Sequence, residues 1–310
     1  MAALTFGAAN ITPSQLFNCL FAQCDSQINE MIVWQIRLPR VLVGFVAGAS
    51  LACAGAILQN ITRNPLADPY LFGIVAGAGL GATIASIGFN EQLTIALPLA
   101  AFLGALFAVI MVFALANIMQ KIEQLLLAGV AISFMLSAIT QFMLYTSEPL
   151  AANRVLFWLM GSLARVEMQH FYLISLVMIM ALIIIMAFHR QIDALALGDE
   201  TASTLGVNVT KLRLLMLAIC AALTAVIVAY CGGIAFIGLM IPHIVRQLVG
   251  SNTVRLLAGS VFLGGSFLIW VDVIARSAIN NLELPIGIIT SVIGSLFFLF
   301  VMFKGSRYEH

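Results

Sequence analysis

Long apolar stretches separated by short polar breaks run through almost the whole chain. They cover roughly 41–58, 71–89, 93–119, 124–145, 171–188, 212–231, 233–249, 256–271 and 284–303. A helix rises ~1.5 Å per residue, so about 18 residues approach the ~30 Å hydrocarbon core of a bilayer. We therefore predict an all-α polytopic membrane protein with nine spanning or nearly spanning helices. The run from Gly233 is the weakest, because it is short and we expect Pro242 to break it.

The start of the chain, Met1 to Ala9, is apolar but too short to cross a bilayer, and it lacks the positive charge of a signal peptide. We interpret it as the outer end of a truncated first helix, and we expect ten spans in the complete protein. The polar segment that follows contains Thr12-Pro13-Ser14-Gln15. This is a helix-start signal with proline at the first helical position, so we expect a short helix on the outer surface.

Composition excludes a soluble protein. Hydrophobic residues make up 62% of the 310 residues, charged residues make up 9%, and the mean hydropathy is +1.10. Soluble domains carry about 25% charged residues, and a single core could not bury this much apolar surface. The net charge is +1 and no basic run exceeds two residues, so nucleic acid is excluded as a partner.

Basic residues divide unequally between the two sides of the membrane. Threading the spans alternately places nine on one side, namely Arg63, Lys121, Arg190, Lys211, Arg213, Arg246, Arg255, Lys304 and Arg307. The other side receives Arg37, Arg40, Arg154, Arg165 and Arg276. By the positive-inside rule the first side is cytoplasmic.

The longest inner connection runs from Gln191 to Thr210. Gly198 and Gly206 can each end a helix, and Asp199 can cap the next helix. The pattern is compatible with two short amphipathic helices, the second carrying Ala202 and Leu205 on one face. The pattern alone leaves an ordinary loop equally open.

Several short motifs follow one another in a characteristic order along the chain. They are Arg37-Leu-Pro-Arg40, Gly48 to Gly55, Gln59, Arg63-Asn-Pro-Leu-Ala-Asp-Pro69, Gly73, Gly77, Gly79, Leu127-Ala-Gly129, Trp158-Leu-Met-Gly161, Leu197-Gly-Asp-Glu200, Leu205-Gly206, Gly233 to His243, Asp272 to Arg276 and Glu283 to Gly287. Their joint order and spacing resemble the FecCD family of ABC-transporter permeases. These are the membrane subunits of type II importers for iron–siderophore, haem and cobalamin.

The resemblance implies the ten-helix fold of type II importer permeases in two inverted halves, with residues 1–310 forming one transmembrane permease domain. It also implies a homodimer in the inner (plasma) membrane of a bacterium, with the substrate path on the twofold axis. Gly44, Gly48, Gly73, Gly77 and Gly81 recur at four-residue spacing, which lets helix backbones approach closely in lipid. For these glycines we favour packing within one subunit.

ATP hydrolysis requires a second protein. A phosphate-binding loop needs Gly-Lys followed by Ser or Thr, and none of the three lysines follows a glycine. The resemblance implies that two separate ATPase subunits bind ATP and Mg, that this chain binds no cofactor, and that its coupling helices, residues 192–210, dock into those subunits. Gly198 and Gly206 bound these helices. Leu197, Leu205 and Val207 would be buried in the ATPase groove, and Asp199 and Glu200 would meet its basic rim.

The outer arginines suit carboxylate recognition, because guanidinium binds carboxylate in a bidentate fashion. Arg37 and Arg40 are three residues apart and share a helix face. The resemblance implies that Arg37, Arg40 and Arg276 dock the glutamates of a periplasmic substrate-binding protein. Snorkelling to lipid headgroups, or an intrahelical pair between Asp272 and Arg276, are the alternatives.

The inner break after the first long run contains Asn64, Pro65 and Leu66. Proline removes a backbone donor and stops the helix. The resemblance implies a cytoplasmic gate at these three residues, and a simple connector is the alternative.

Other chemistry-bearing residues form no recognisable catalytic or metal site. The four histidines are far apart in sequence, and Cys19 and Cys24 share the outer segment at a spacing that does not demand a disulfide. The acidic residues lie at span ends or in loops, which argues against an ion-coupled secondary transporter. An externally powered importer of a metal chelate is therefore favoured, with iron–siderophore first, haem or cobalamin next, and molybdate or tungstate as the alternative.

Overall fold

The computed structural model describes residues 2–7, 11–21, 24, 26–88, 93–116, 122–279 and 282–306. These residues form α-helices and no β-strand, which confirms the predicted all-α class. The helices are α1 (Ala2–Thr5), α2 (Pro13–Phe21), α3 (Gln27–Met31), α4 (Leu38–Thr62), α5 (Ile74–Gly88), α6 (Leu93–Ala116), α7 (Ile122–Thr146), α8 (Pro149–Leu159), α9 (Met168–Ala187), α10 (His189–Ala196), α11 (Asp199–Thr204), α12 (Val209–Cys231), α13 (Ile237–Val249), α14 (Thr253–Ser277) and α15 (Ile286–Ser306). The inner residues Lys121 and Arg307 lie outside the described ranges.

Each of the nine predicted apolar runs corresponds to a helix. Among the described residues, seven helical segments are long and apolar enough to cross a membrane, including the continuous helix Gln27–Thr62, which contains a π-helical stretch at Ile32–Arg37. The other two, α5 and α13, have 15 and 13 residues. The run from Gly233 becomes helical only at Ile237, because Gly232 and Phe236 have positive φ angles of 71° and 69°.

Pro242 does not break α13, contrary to the expectation from sequence. Proline cannot donate to the carbonyl four residues earlier, which here belongs to Gly238. The side-chain amide of Gln59 on α4 donates to that carbonyl at 3.2 Å. The freed acceptor is thus satisfied by a neighbouring helix, and the kink-prone position becomes a contact between α13 and α4.

Glycines allow α4 to lie directly against α14 at the centre of the subunit. A Cβ at Gly48 would be 2.2 Å from the carbonyl oxygen of Gly264, and a Cβ at Gly264 would be 2.6 Å from the carbonyl oxygen of Gly48. Gly77 and Gly104 make the equivalent contact between α5 and α6. Because these contacts join helices of one subunit, the expected intrasubunit packing is confirmed for Gly48 and Gly77.

We expect Gly48→Ala to destabilise the subunit by about 1–3 kcal/mol, because the added methyl group must push two backbones apart. Gly88→Ala is the matched control, since a Cβ there meets nothing within 4 Å. That control should be neutral or slightly stabilising, because alanine favours helix. Thermal unfolding of both variants in detergent measures the difference, and equal midpoints would contradict the close-packing argument.

The N-terminal outer segment is folded against the helix bundle. Helix α2 begins at Pro13 as predicted, with the Thr12 hydroxyl accepting from the Gln15 amide at 3.3 Å. Cys19 and Cys24 form a disulfide, although their spacing in the sequence did not favour one. Disulfides persist in oxidising compartments, so this bond agrees with the outer placement of the segment.

Candidate functional site

The inner connection folds into the two short helices α10 and α11, which resolves the helix-or-loop alternative in favour of helices. Their buried faces carry Ile192, Leu195 and Ala202. At the opposite surface Leu197 is 75% exposed and Leu205 is 65% exposed. The structure therefore presents two large apolar side chains, on the side predicted to be cytoplasmic, that no other described part of the chain covers.

Two details of this segment differ from the sequence prediction. Gly198, with φ of 134°, precedes α11 as its N-cap, whereas Asp199 is the first helical residue. Ala202 and Leu205 do not lie on one face of the helix as predicted, because Ala202 is fully buried and Leu205 is exposed. Gly206 follows the helix in the left-handed region, at φ of 80°, as expected for a helix end.

Asp199 connects the coupling helices to the end of α4. Arg213 donates to both of its carboxylate oxygens, at 3.0 and 3.3 Å, and Arg63 lies 2.9 Å away. Arg213 also donates to the carbonyl of Ile61 at 3.1 Å. Asp199 is therefore held by its own subunit, while Glu200 is exposed; their expected contacts with a basic rim stay a prediction.

A second connection starts at Asp193 on α10. Its carboxylate accepts from the amide and hydroxyl of Thr253, at 2.8 and 2.6 Å. The Thr253 hydroxyl accepts from Asn60 at 3.5 Å, and Arg246 donates to Asn60 at 3.0 Å and to Gln59 at 3.1 Å. The inner end of α4 is thus joined to the coupling helices through two separate polar networks.

The predicted gate residues directly follow this end of α4. Arg63 ends the helix in the left-handed region, at φ of 52°. The Asn64 side chain accepts from the Leu66 amide at 2.9 Å, which forms a tight turn around Pro65 and leaves Leu66 58% exposed. This geometry places the turn where movement of the coupling helices would reach it, and the gate role stays a prediction.

We expect Asp199→Asn to speed hydrogen exchange across residues 192–210, because it weakens the ion pairs with Arg213 and Arg63. The hydrogen bond from Arg213 lowers the pKa of Asp199. The stabilisation is therefore constant above the unfolded pKa of ~3.9 and is lost only as the pH falls through the lower folded pKa. Glu200→Gln, on the exposed neighbour, is the control; equal exchange in both variants would contradict this role.

The three predicted docking arginines are buried at the outer end. Arg40 donates to Asp272 at 2.7 Å and to Glu283 at 2.9 Å, and Arg276 lies 3.5 Å from Asp272, so the alternative intrahelical pair is present. Arg37 donates to the carbonyls of Leu4 and Thr5, and Arg276 to that of Ala3. These guanidinium groups already bind atoms of α1 and α14. Docking of a partner through them would require these internal contacts to be replaced by contacts with the partner, and it stays a prediction.

A polar stripe on α7 is a candidate pathway lining that sequence reasoning missed. Ser133, Ser137, Thr140 and Gln141 line a cavity of about 400 Å³ with Tyr70 and residues of α5 and α8. Ser133 and Thr140 donate to carbonyls of their own helix, so their oxygens remain as acceptors toward the cavity. Their spacing of three to four residues within an apolar run was the available sequence signal.

Among the described residues, no group of three or more His, Cys, Asp or Glu side chains is arranged to hold a metal ion. His170 instead accepts from the Glu167 amide at the start of α9, at 2.9 Å. Cys53, Cys220 and Cys231 are buried free thiols.

Comparison with known proteins gives concordant matches over nearly the full chain. The FecCD transport family matches residues 1–304. The Fe(3+)-citrate import system permease YfmD of Bacillus subtilis is 36% identical over 304 residues, 97% of this chain and 90% of its own length. The vitamin B12 import system permease BtuC of Escherichia coli is 38% identical over 279 residues, which are 90% of this chain and 85% of its own length. A solved metal-chelate type ABC transporter in an inward-facing conformation has a TM-score of 0.84 at 29% identity, covering 94% of this chain and 100% of that chain.

Proposed function

This chain belongs to the FecCD transport family of ABC-importer permeases, and we propose that it imports a metal chelate across the bacterial inner membrane by alternating access. An iron–siderophore is the first choice of substrate, followed by haem or cobalamin. The permease would work as a homodimer, with two ATPase subunits on the cytoplasmic side and a periplasmic substrate-binding protein outside. ATP and Mg would be bound by the ATPase subunits, with residues 1–310 acting as a single permease domain.

The coupling helices carry this proposal. Leu197 and Leu205 expose apolar surface where a soluble motor would bind, and burial of such side chains drives association. Behind them, Asp199 and Asp193 connect to the inner end of α4. A displacement of Leu197 and Leu205 by the ATPase subunit would therefore be transmitted to the turn at Asn64–Leu66 through hydrogen-bonded helices.

The cavity beside α7 supports a chelate as the cargo. Its polar lining is made of hydroxyl and amide groups without a charge, which would let a large delocalised complex pass without trapping it. The relatives named for Fe(3+)-citrate and vitamin B12 import also handle metal complexes. A neutral lining admits a small oxyanion such as molybdate or tungstate as the alternative cargo.

Docking of the binding protein belongs to the same proposal. Glutamates of that partner would take over guanidinium groups of Arg37, Arg40 and Arg276 from their present internal acceptors. Because Arg276 and Arg37 bind the carbonyls of α1, docking would release that segment from the bundle.

The test is substrate-stimulated ATP hydrolysis and uptake in proteoliposomes that contain the permease and its ATPase subunits. Ferric siderophore, haem, cobalamin and molybdate are each added with a cognate binding protein. Stimulation and uptake with one chelate support the proposal and name the substrate. A response to molybdate alone would replace the chelate with an oxyanion, and no ATPase association would refute the importer mechanism.

A further inference from the structure

A half-enclosed cavity of about 480 Å³ lies at the outer end of the subunit, apart from the pathway cavity beside α7. It is formed by α8, the turn that follows α8, the outer end of α12 and the segment before α15. Its lining includes the polar and charged residues Asn153, Arg154, Ser162, Arg165 and Glu283. Its volume falls in the range of ~300–1,000 Å³ that is usual for small-molecule sites.

The cavity has an excess of positive charge. Arg165 is exposed and makes no hydrogen bond or ion pair with another residue of the described chain. Arg154 makes one long bond of 3.5 Å from Nε to the Leu150 carbonyl of its own helix, which leaves its terminal nitrogens available. The lining carboxylate, Glu283, is already paired with Arg40 at 2.9 Å. Two guanidinium groups therefore have no counter-charge among the residues that the structure describes.

These two arginines differ from the other three on the outer side, whose guanidinium groups are buried against carboxylates or carbonyls of the same subunit. A guanidinium fork matches the geometry of a carboxylate, with two parallel N–H···O bonds. The aromatic rings of Phe157, Trp158 and Tyr230 line the same cavity and supply apolar contact for the body of a ligand.

Helix α8 separates this cavity from the neutral pathway cavity. Leu156 and Leu159 face the pathway cavity, whereas Arg154 and Trp158 line the outer one. A ligand bound in the outer cavity would therefore be one helix thickness away from the polar stripe of α7.

We propose that this outer cavity is an acceptor site for a small metal chelate that carries free carboxylate groups, and that Arg154 and Arg165 bind those carboxylates. The inference rests on the proposed chelate import and narrows the substrate to anionic, carboxylate-bearing chelates. Neutral chelates would gain nothing from the two guanidinium groups.

Calorimetric titration of gallium(III) citrate into the full-length chain tests the site, in nanodiscs of phosphatidylcholine. Arg154→Gln with Arg165→Gln should weaken binding about a hundredfold, because each charge-assisted contact is worth about tenfold or more. Arg190→Gln with Arg255→Gln, at two exposed inner arginines, removes the same charge and should bind like the wild type.

Three results would overturn the inference. They are no binding by the wild type, equal binding by the Arg154/Arg165 variant, and loss of wild-type binding in phosphatidylglycerol nanodiscs, which would assign the site to a lipid headgroup. Two further measurements on the same preparations keep the two proposals separate. They are the association of the permease with its ATPase subunits and the stimulation of ATP hydrolysis by a neutral ferric trihydroxamate. If these persist while citrate binding fails, the importer mechanism stands and only the acceptor site is refuted.

Discussion

Asp272→Asn should lower the stability of the folded subunit by about 3–5 kcal/mol, since it removes the buried negative charge that Arg40 and Arg276 share. Asp272 is 1% exposed and lies 2.7 Å from Arg40 and 3.5 Å from Arg276. Thermal or denaturant unfolding in detergent measures the loss. The effect is large because Asp272 is the carboxylate paired with Arg276 among the described residues, and because Arg40 would keep only its contact with the half-exposed Glu283.

Glu283→Gln is the matched control for this prediction. Glu283 pairs with the same Arg40, but its side chain is 50% exposed, so its removal should cost less than about 1 kcal/mol. A second variant, Arg40→Met with Asp272→Leu, removes a charge of each sign and should recover part of the stability. If Asp272→Asn unfolds no earlier than Glu283→Gln, the buried cluster does not stabilise the outer end.

Leu197→Asp with Leu205→Asp should weaken binding of the ATPase subunit by at least about a hundredfold. Buried anchor residues at interfaces typically contribute about 2 kcal/mol or more each, and a carboxylate in the groove adds a desolvation cost. The measurement is a titration of detergent-solubilised permease with purified ATPase. Because both leucines are exposed in the subunit, the substitutions should leave its unfolding midpoint unchanged.

Leu248→Asp is the control for the coupling prediction. Leu248 is 75% exposed near the inner end of α13 and lies outside the coupling helices. It should bind the ATPase like the wild type. Comparable loss of binding in both variants would show that cytoplasmic charge, and not the coupling helices, determines association.

The sequence predicted the long helices well because a span needs only length and apolarity, which are local properties. Helix α8 was missed because its 11 residues are too few to register as a span. The short inner helices were left open for the same reason, and the family resemblance rather than the pattern favoured them.

The burial and the ion-pair partners of the outer arginines could not be deduced from the local sequence pattern. Arg40 meets Asp272 and Glu283, which are 232 and 243 residues away in sequence. Only the packing of α4 against α14 brings these charges together, and it also determines that the guanidinium groups are buried. The Asp272–Arg276 pair, by contrast, is four residues apart and was foreseeable from helix geometry.

The energy source of transport tests the central claim most directly. Proteoliposomes containing the permease, its ATPase subunits and the binding protein are loaded with or without ATP, and chelate uptake is followed before and after ionophores collapse all ion gradients. We predict uptake that requires ATP and the ATPase subunits and is unaffected by the ionophores. Uptake that persists without ATP and stops when the gradients collapse would contradict the account and identify an ion-coupled secondary transporter.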